Sequence, residues 1–224
     1  MGVLLALLPV SAAMILHGIT QMVSNGWRAW LWRRHVNWRI FRGFAVGALV
    51  VLAAFVTVQF VVTKPVAYIL LGLTPFVSIA LPQRYTLNVD GRTQPFWCGM
   101  ACTVAQLLAG VSGPLMNVFF VRSSMDRLGV VATKAMSQAL GHLFKVLFFG
   151  GISLVAAGSA TAGLTEPLIV TCVILAFVGT TLSKPVLAKL SNTNFRVWTK
   201  WVVLAMGVIY LVSGLWMATD ASRA

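Results

Sequence analysis

The sequence predicts an all-α polytopic membrane protein, with two inverted repeats, about six full spans and one broken re-entrant segment. Three observations predict it. Hydrophobic residues make up 59% of the 224 positions and charged ones only 9%, with a mean hydropathy of +0.90, outside the range of soluble domains. Apolar runs such as Gly43 to Val62 and Val202 to Met217 approach or match the ~20 residues that cross a bilayer. Finally, one polar stripe occurs twice. His17, Gln21, Asn25 and Arg28 match Lys134, Gln138, His142 and Lys145 at a constant offset of 117. Steps of four, four and three keep each quartet on one helix face, climbing about 16 Å at ~1.5 Å per residue. Thr20 and Ser137 repeat the match, as do Trp27 and Phe144.

Taken in order, helices are predicted at about 10–32, 40–62, 66–81, 129–157, 167–182 and 197–217. Residues 1–13 resemble the apolar core of a signal peptide, but no basic stretch precedes them and apolar sequence follows, so they are read as retained. Segment 96–121 breaks at Ala109-Gly110-Val111-Ser112-Gly113-Pro114, where proline removes an amide donor and glycine loosens the helix. Polar connections are expected at 33–39, 63–65, 82–95 and 183–196. A second repeat marker is Thr63-Lys64-Pro65-Val66 against Ser183-Lys184-Pro185-Val186, offset by 120. The repeats are thus residues 1–95 and 96–224. Gly113 minus 117 falls before Met1, so no counterpart of the Gly-rich break is expected within residues 1–95, either because the first repeat lacks it or because the start of the sequence has been cut or misassigned.

Charge placement sets the topology. If segment 96–121 crosses once, the fourteen loop cations divide seven and seven, which gives no orientation. If it returns to its starting side, all but Lys64 and Arg223 share one face. The positive-inside rule favours that arrangement and makes the basic loops cytoplasmic. The two repeats then have opposite orientations, a plan used by secondary transporters.

Gly113-Pro114-Leu115-Met116-Asn117, followed by Ala132-Thr133-Lys134-Ala135 and by Gln138 through Lys145, resembles the TauE/SafE (TSUP) membrane transporters. The resemblance covers most of the chain through loose motifs. It implies two related halves, each opening with a Gly-rich broken segment, and export of sulfite, organosulfonates or similar small anions across the bacterial inner membrane.

The stripe suits such cargo. Arg28, Lys134 and Lys145 are the basic side chains placed within spans, where charge is costly. Arg28 lies near a basic loop and has snorkelling to the interface as an alternative. Lys145, near the middle of a long segment, calls for a lost proton or an anionic partner. Gln21, Asn25 and Gln138 offer amide donors, with helix–helix hydrogen bonding as their alternative role. Asn117, Thr133 and the Gly113-Pro114 break complete the expected substrate pocket, a helix N-terminus adding backbone donors. The acids Asp90, Asp126, Glu166 and Asp220 fall in loops or at the chain's end, so carboxylate-based coupling is not expected. His142 and its repeat mate His17 are the candidates for proton coupling; bonding to a neighbouring helix is the other reading of His142.

Other features are less specific. Cys98 and Cys102 are spaced i, i+4 without a nearby His, Asp or Glu, so no metal site is expected and packing accounts for them. Tryptophans flanking the basic loop and the last span read as interfacial belts. The net charge of +13 is placed against anionic lipid rather than nucleic acid. No G-x-S-x-G, H-E-x-x-H or paired aspartates appear, so no enzyme and no cofactor are expected. The expected function is export or exchange of a small anion by alternating access. A passive anion channel and a non-transporting accessory subunit are the alternatives, and a homodimer stays open as an assembly.

Overall fold

The computed structural model describes residues 1–80, 87–155, 162–189 and 192–221, with side chains left undescribed at 78–80, 152–155, 183–189, 192–200 and 221. All regular structure among the described residues is helical. Helix α1 (Gly2–Leu7) ends where Leu8 and Pro9 turn extended, and α2 (Val10–Leu31) follows. A 3-10 turn at Arg33–His35 leads to α3 (Trp38–Val58). Asn37 caps α3, its side chain accepting from the Ile40 N–H at 3.2 Å, which satisfies an amide without an intrahelical partner. Left-handed Gln59 (φ 51) closes that helix. Helix α4 (Lys64–Ala80) starts on Lys64-Pro65, where a proline near the N-terminus loses no helical bond.

Helix α5 (Gln94–Ala109) ends at Gly110, whose φ of 77 is open to glycine at little cost. Helix α6 (Gly113–Phe120) restarts the chain with Pro114 in its first turn. The ends of this broken segment meet. The Val89 N–H donates to the Phe119 carbonyl at 3.0 Å. Asp90 accepts from the Ser123 hydroxyl at 3.0 Å and from the Ser124 N–H at 2.6 Å. The α5–α6 unit therefore leaves and returns at the same end of the bundle. Helix α7 (Arg127–Val155) is capped by Asp126, which accepts from the Gly129 N–H at 2.9 Å. Helices α8 (Glu166–Lys189) and α9 (Asn192–Ala221) complete the chain.

Several boundaries differ from the sequence expectation. The connection expected at 183–196 is mostly helix: α8 runs through Ser183-Lys184-Pro185, and Arg196 and Lys200 lie in α9. The second repeat marker thus opens one helix at Thr63-Lys64-Pro65 but sits inside another at Ser183-Lys184-Pro185. A proline inside a helix removes one hydrogen bond without ending the helix in every context; α4 likewise accommodates Pro75. Helix α3 stops four residues before the expected position 62 because of the left-handed turn at Gln59. Residue 81 of the expected helix 66–81 and residues 82–86 of the expected 82–95 connection lie outside the described residues.

The dominant packing pairs are α2 with α7, α4 with α9, and α3 with α5. In the last pair, a Cβ on Gly47 would lie 2.1 Å from the Phe96 carbonyl oxygen, and one on Gly99 would lie 2.1 Å from that of Phe44. Only hydrogen at both positions lets these backbones meet. One core cluster joins Ile40 and Phe44 to Cys98, Cys102, Met116 and Phe119, and another joins Met14 and Ile15 to Val51, Phe148 and Phe149. The exterior is also apolar, with Leu49 and Val50 on α3, Ile174 and Leu175 on α8, and Val208, Val212 and Trp216 on α9 exposed. Two helices, Trp38–Val58 and Trp201–Asp220, are long and apolar enough to cross a membrane. Width of exposed apolar surface and span length together associate the chain with a membrane.

Candidate functional site

The two helices that carry the polar stripe face each other and run antiparallel. A Cβ on Gly18 would meet the Val146 and Lys145 side chains, and further along, Arg28 comes within electrostatic range of Lys134. Residue numbers rise along α2 as they fall along α7. Adding 117 to each member of the bonded pair His17–Lys145, and subtracting it where needed, gives Lys134–Arg28. The repeat-related pair thus lies across the same two helices, within electrostatic range but without a hydrogen bond between its members.

The first contact is deep. Lys145 has no exposed surface. Its ammonium donates to His17 Nδ1 at 2.8 Å and to the Gly110 carbonyl at 3.0 Å. The lysine thereby ties α7 to α2 and to the break after α5. The His17 and His142 rings meet edge to face with centroids 5.5 Å apart. Ser112 donates its hydroxyl to Gln106 Oε1 at 2.6 Å, leaving the Gln106 amide to donate to His142 Nδ1, also at 2.6 Å. His142 thus accepts at Nδ1 and carries its proton at Nε2; His17 does the same while Lys145 is an ammonium, and its Nδ1–H donates instead where Lys145 is a neutral amine. Serving Gln106, the Ser112 hydroxyl makes no cap for α6.

The second contact is more open. Arg28 donates to Asn25 Oδ1 at 3.5 Å, and Asn25 donates to the Gln21 carbonyl at 3.0 Å and to Gln21 Oε1 at 3.3 Å. Lys134 donates to Asn117 Oδ1 on α6. Asn25 is buried, Arg28, Gln21 and Lys134 are partly exposed, and Asn117 is exposed. Gln138 lies between the two clusters, its Nε2 3.5 Å from where a Cβ on Gly113 would sit. Pro114 follows in the first turn of α6. The four acids are remote from both clusters along the chain: Asp90 precedes α5, Asp126 precedes α7, Glu166 opens α8 and Asp220 lies in the last turn of α9.

Comparison with protein-family models, curated proteins and solved structures finds no match.

Of the residues singled out in the sequence, the structure gathers His17, His142 and Lys145 at the deep end. It groups Gln21, Asn25, Arg28, Lys134 and Asn117 at the open end, with Gln138, Gly113 and Pro114 beside the break. Thr133 stands apart. Its buried hydroxyl accepts from the Asn37 N–H at 2.9 Å and contacts Met125 Sδ at 3.9 Å, so it anchors the start of α3 to α7. Gln106 and Ser112 are partners that the stripe does not reveal, because both lie outside the duplicated helices. The available signal for Gln106 was its isolation as an amide within the apolar run CTVAQLLAG. Thr103 and Ser137 are also buried, and their hydroxyls have no hydrogen-bond partner among the described residues. Cys98 and Cys102 place their sulfurs 3.9 Å apart within the core. Among the described residues no three His, Cys, Asp or Glu side chains gather as a metal-binding group.

Proposed function

We propose that the protein is a small-anion transporter of a bacterial inner membrane, with about six spans, two inverted repeats and a re-entrant α5–α6 segment. Its cargo is a sulfite, organosulfonate or carboxylate, exported or exchanged by alternating access. The observation that carries this reading is the antiparallel pairing of α2 and α7, with the repeat-related pairs His17–Lys145 and Arg28–Lys134 facing across it. An antiparallel pair whose facing residues map onto each other under a shift of 117 residues is what an inverted duplication produces around a pseudo-two-fold axis. At the open end, that relation brings Arg28 and Lys134 together among the side-chain amides of Asn25, Gln21 and Asn117. Two cations in a setting of low dielectric repel unless an anion joins them. The return of the α5–α6 ends to one another supports a segment that enters and leaves on the basic, cytoplasmic side. An anion leaving a cell that is negative inside gains about 2.3 kcal/mol per charge per 100 mV, which favours export.

The test is saturable uptake of radiolabelled sulfite, sulfoacetate and acetate into proteoliposomes. Arg28→Gln and Lys134→Gln each remove one charge-assisted bond, and each is expected to lower flux at limiting substrate by about 10- to 100-fold. Flux that rises linearly with concentration would fit a passive channel. No flux of any of the three anions through folded protein would count against transport altogether.

A further inference from the structure

The deep cluster holds a cation that the anion seat does not explain. Lys145 is fully enclosed, its two acceptors are neutral, and the four acids are all at helix ends or in connections. The titratable groups facing it are His17 from α2, His142 on its own helix and the Met1 amino group, all bases. Four nitrogen bases, Lys145 included, packed together with no acid take up each further positive charge less readily than the first. The Lys145–His17 hydrogen bond also joins unequal environments, because Lys145 is sealed and His17 is partly exposed.

We propose that Lys145 and His17 form a proton-binding site, separate from the anion seat at Arg28 and Lys134, and that one proton moves with each transported anion. The proposal rests on the transport reading above. In the loading step, with Lys145 a neutral amine, His17 takes a proton from water to become imidazolium and passes its Nδ1 proton to Lys145 Nζ along the 2.8 Å bond. The Nδ1–H bond breaks, an Nζ–H bond forms, and the charge passes from imidazolium to ammonium. Unloading is the reverse, through His17 to water. The second imidazole, His142, is bonded at Nδ1 by the Gln106 amide and so adds no further charge of its own in that form. Moving a proton with the anion cancels one unit of charge, so a doubly charged anion keeps one unit of the electrical gain that favours export, whereas a singly charged one gives it up.

Two measurements test this, and the first needs no substrate. Nitrogen NMR of protein labelled in its three histidines, with His17→Gln and His142→Gln for assignment, reads the tautomers directly. Expected is an unprotonated, accepting Nδ1 on His17 and, in Lys145→Met, proton uptake by His17 at roughly tenfold lower proton concentration, because a neighbouring cation is gone. A His17 proton resting on Nδ1, or uptake unmoved by Lys145→Met, overturns the site. The second uses proteoliposomes containing a pH dye, with the membrane potential clamped, and sulfoacetate as the probe. Expected is internal acidification that accompanies sulfoacetate entry and falls at least tenfold relative to anion flux in Lys145→Met and in His17→Gln. Anion entry without acidification in the unmodified protein overturns the coupling. If no anion enters, the transport reading fails while NMR still decides the proton site.

Discussion

Replacing Lys145 with methionine is expected to leave stability nearly unchanged, unlike the loss of an ion-paired lysine. Methionine preserves the length and flexibility of the stem. Lost are two hydrogen bonds from a charged donor, to His17 Nδ1 and the Gly110 carbonyl, together about 3–6 kcal/mol. Gained is relief from enclosing an ammonium with no exposed surface, a penalty of several kcal/mol. The two sides cancel to within about 2 kcal/mol, whereas removing one partner of a buried ion pair costs about 3–5 kcal/mol. For a chain of this size, 1 kcal/mol shifts Tm by about 2–4 °C. Thermal unfolding of detergent-purified protein should therefore move by no more than ~8 °C. Lys145→Ala, which leaves a cavity, provides the comparison and should cost about 2–5 kcal/mol. A fall of 10 °C or more in Lys145→Met would mean that an anionic partner stabilises the lysine, and the reasoning about an uncompensated cation would be wrong.

Three further outcomes follow from the fold. At Asp90, burial opposes the charge, but bonds from the Ser124 backbone and the Ser123 side chain more than offset it and hold the carboxyl below its ordinary range. Its stabilising contribution is then present above ~3.9, the unfolded value, and is lost as pH falls through the lower folded value. Asp90→Asn should cost about 1 kcal/mol at pH 7 after discounting for solvent screening, with the difference from the unmodified protein vanishing in strong acid. Thr133→Val leaves the partly buried Asn37 N–H without its acceptor and should lower stability by about 0.5–1.5 kcal/mol without changing the KM for anion uptake. A raised KM would return Thr133 to the substrate pocket. Single cysteines at Asn88 and Ser124, on a cysteine-free background, should react with an impermeant maleimide from the same side of the membrane; labelling from opposite sides contradicts the returning α5–α6 segment.

Much of the fold was legible in the sequence because long apolar runs leave few alternatives to helix. The break in 96–121 was readable from Gly110, Gly113 and Pro114, each of which alters the backbone locally. The 183–196 region was misread because Ser183-Lys184-Pro185 and the following cations look like a connection. Nothing local reveals that α8 and α9 continue through most of this stretch. Thr133 was grouped with the pocket through its neighbour Lys134, although adjacent helix positions point about 100° apart.

By itself, the sequence determined the apolar helical class and the two stripes at offset 117, because hydropathy and helical periodicity are properties of neighbouring residues. It also placed the acids away from those stripes. Tertiary structure alone decided that α2 and α7 meet antiparallel, so that His17 bonds Lys145 while Arg28 approaches Lys134. It alone supplied Gln106 and the Gly110 carbonyl as partners from a different helix. The physical reason is that spacing fixes which side chains share a face, whereas the identity of the opposing face depends on how whole helices pack.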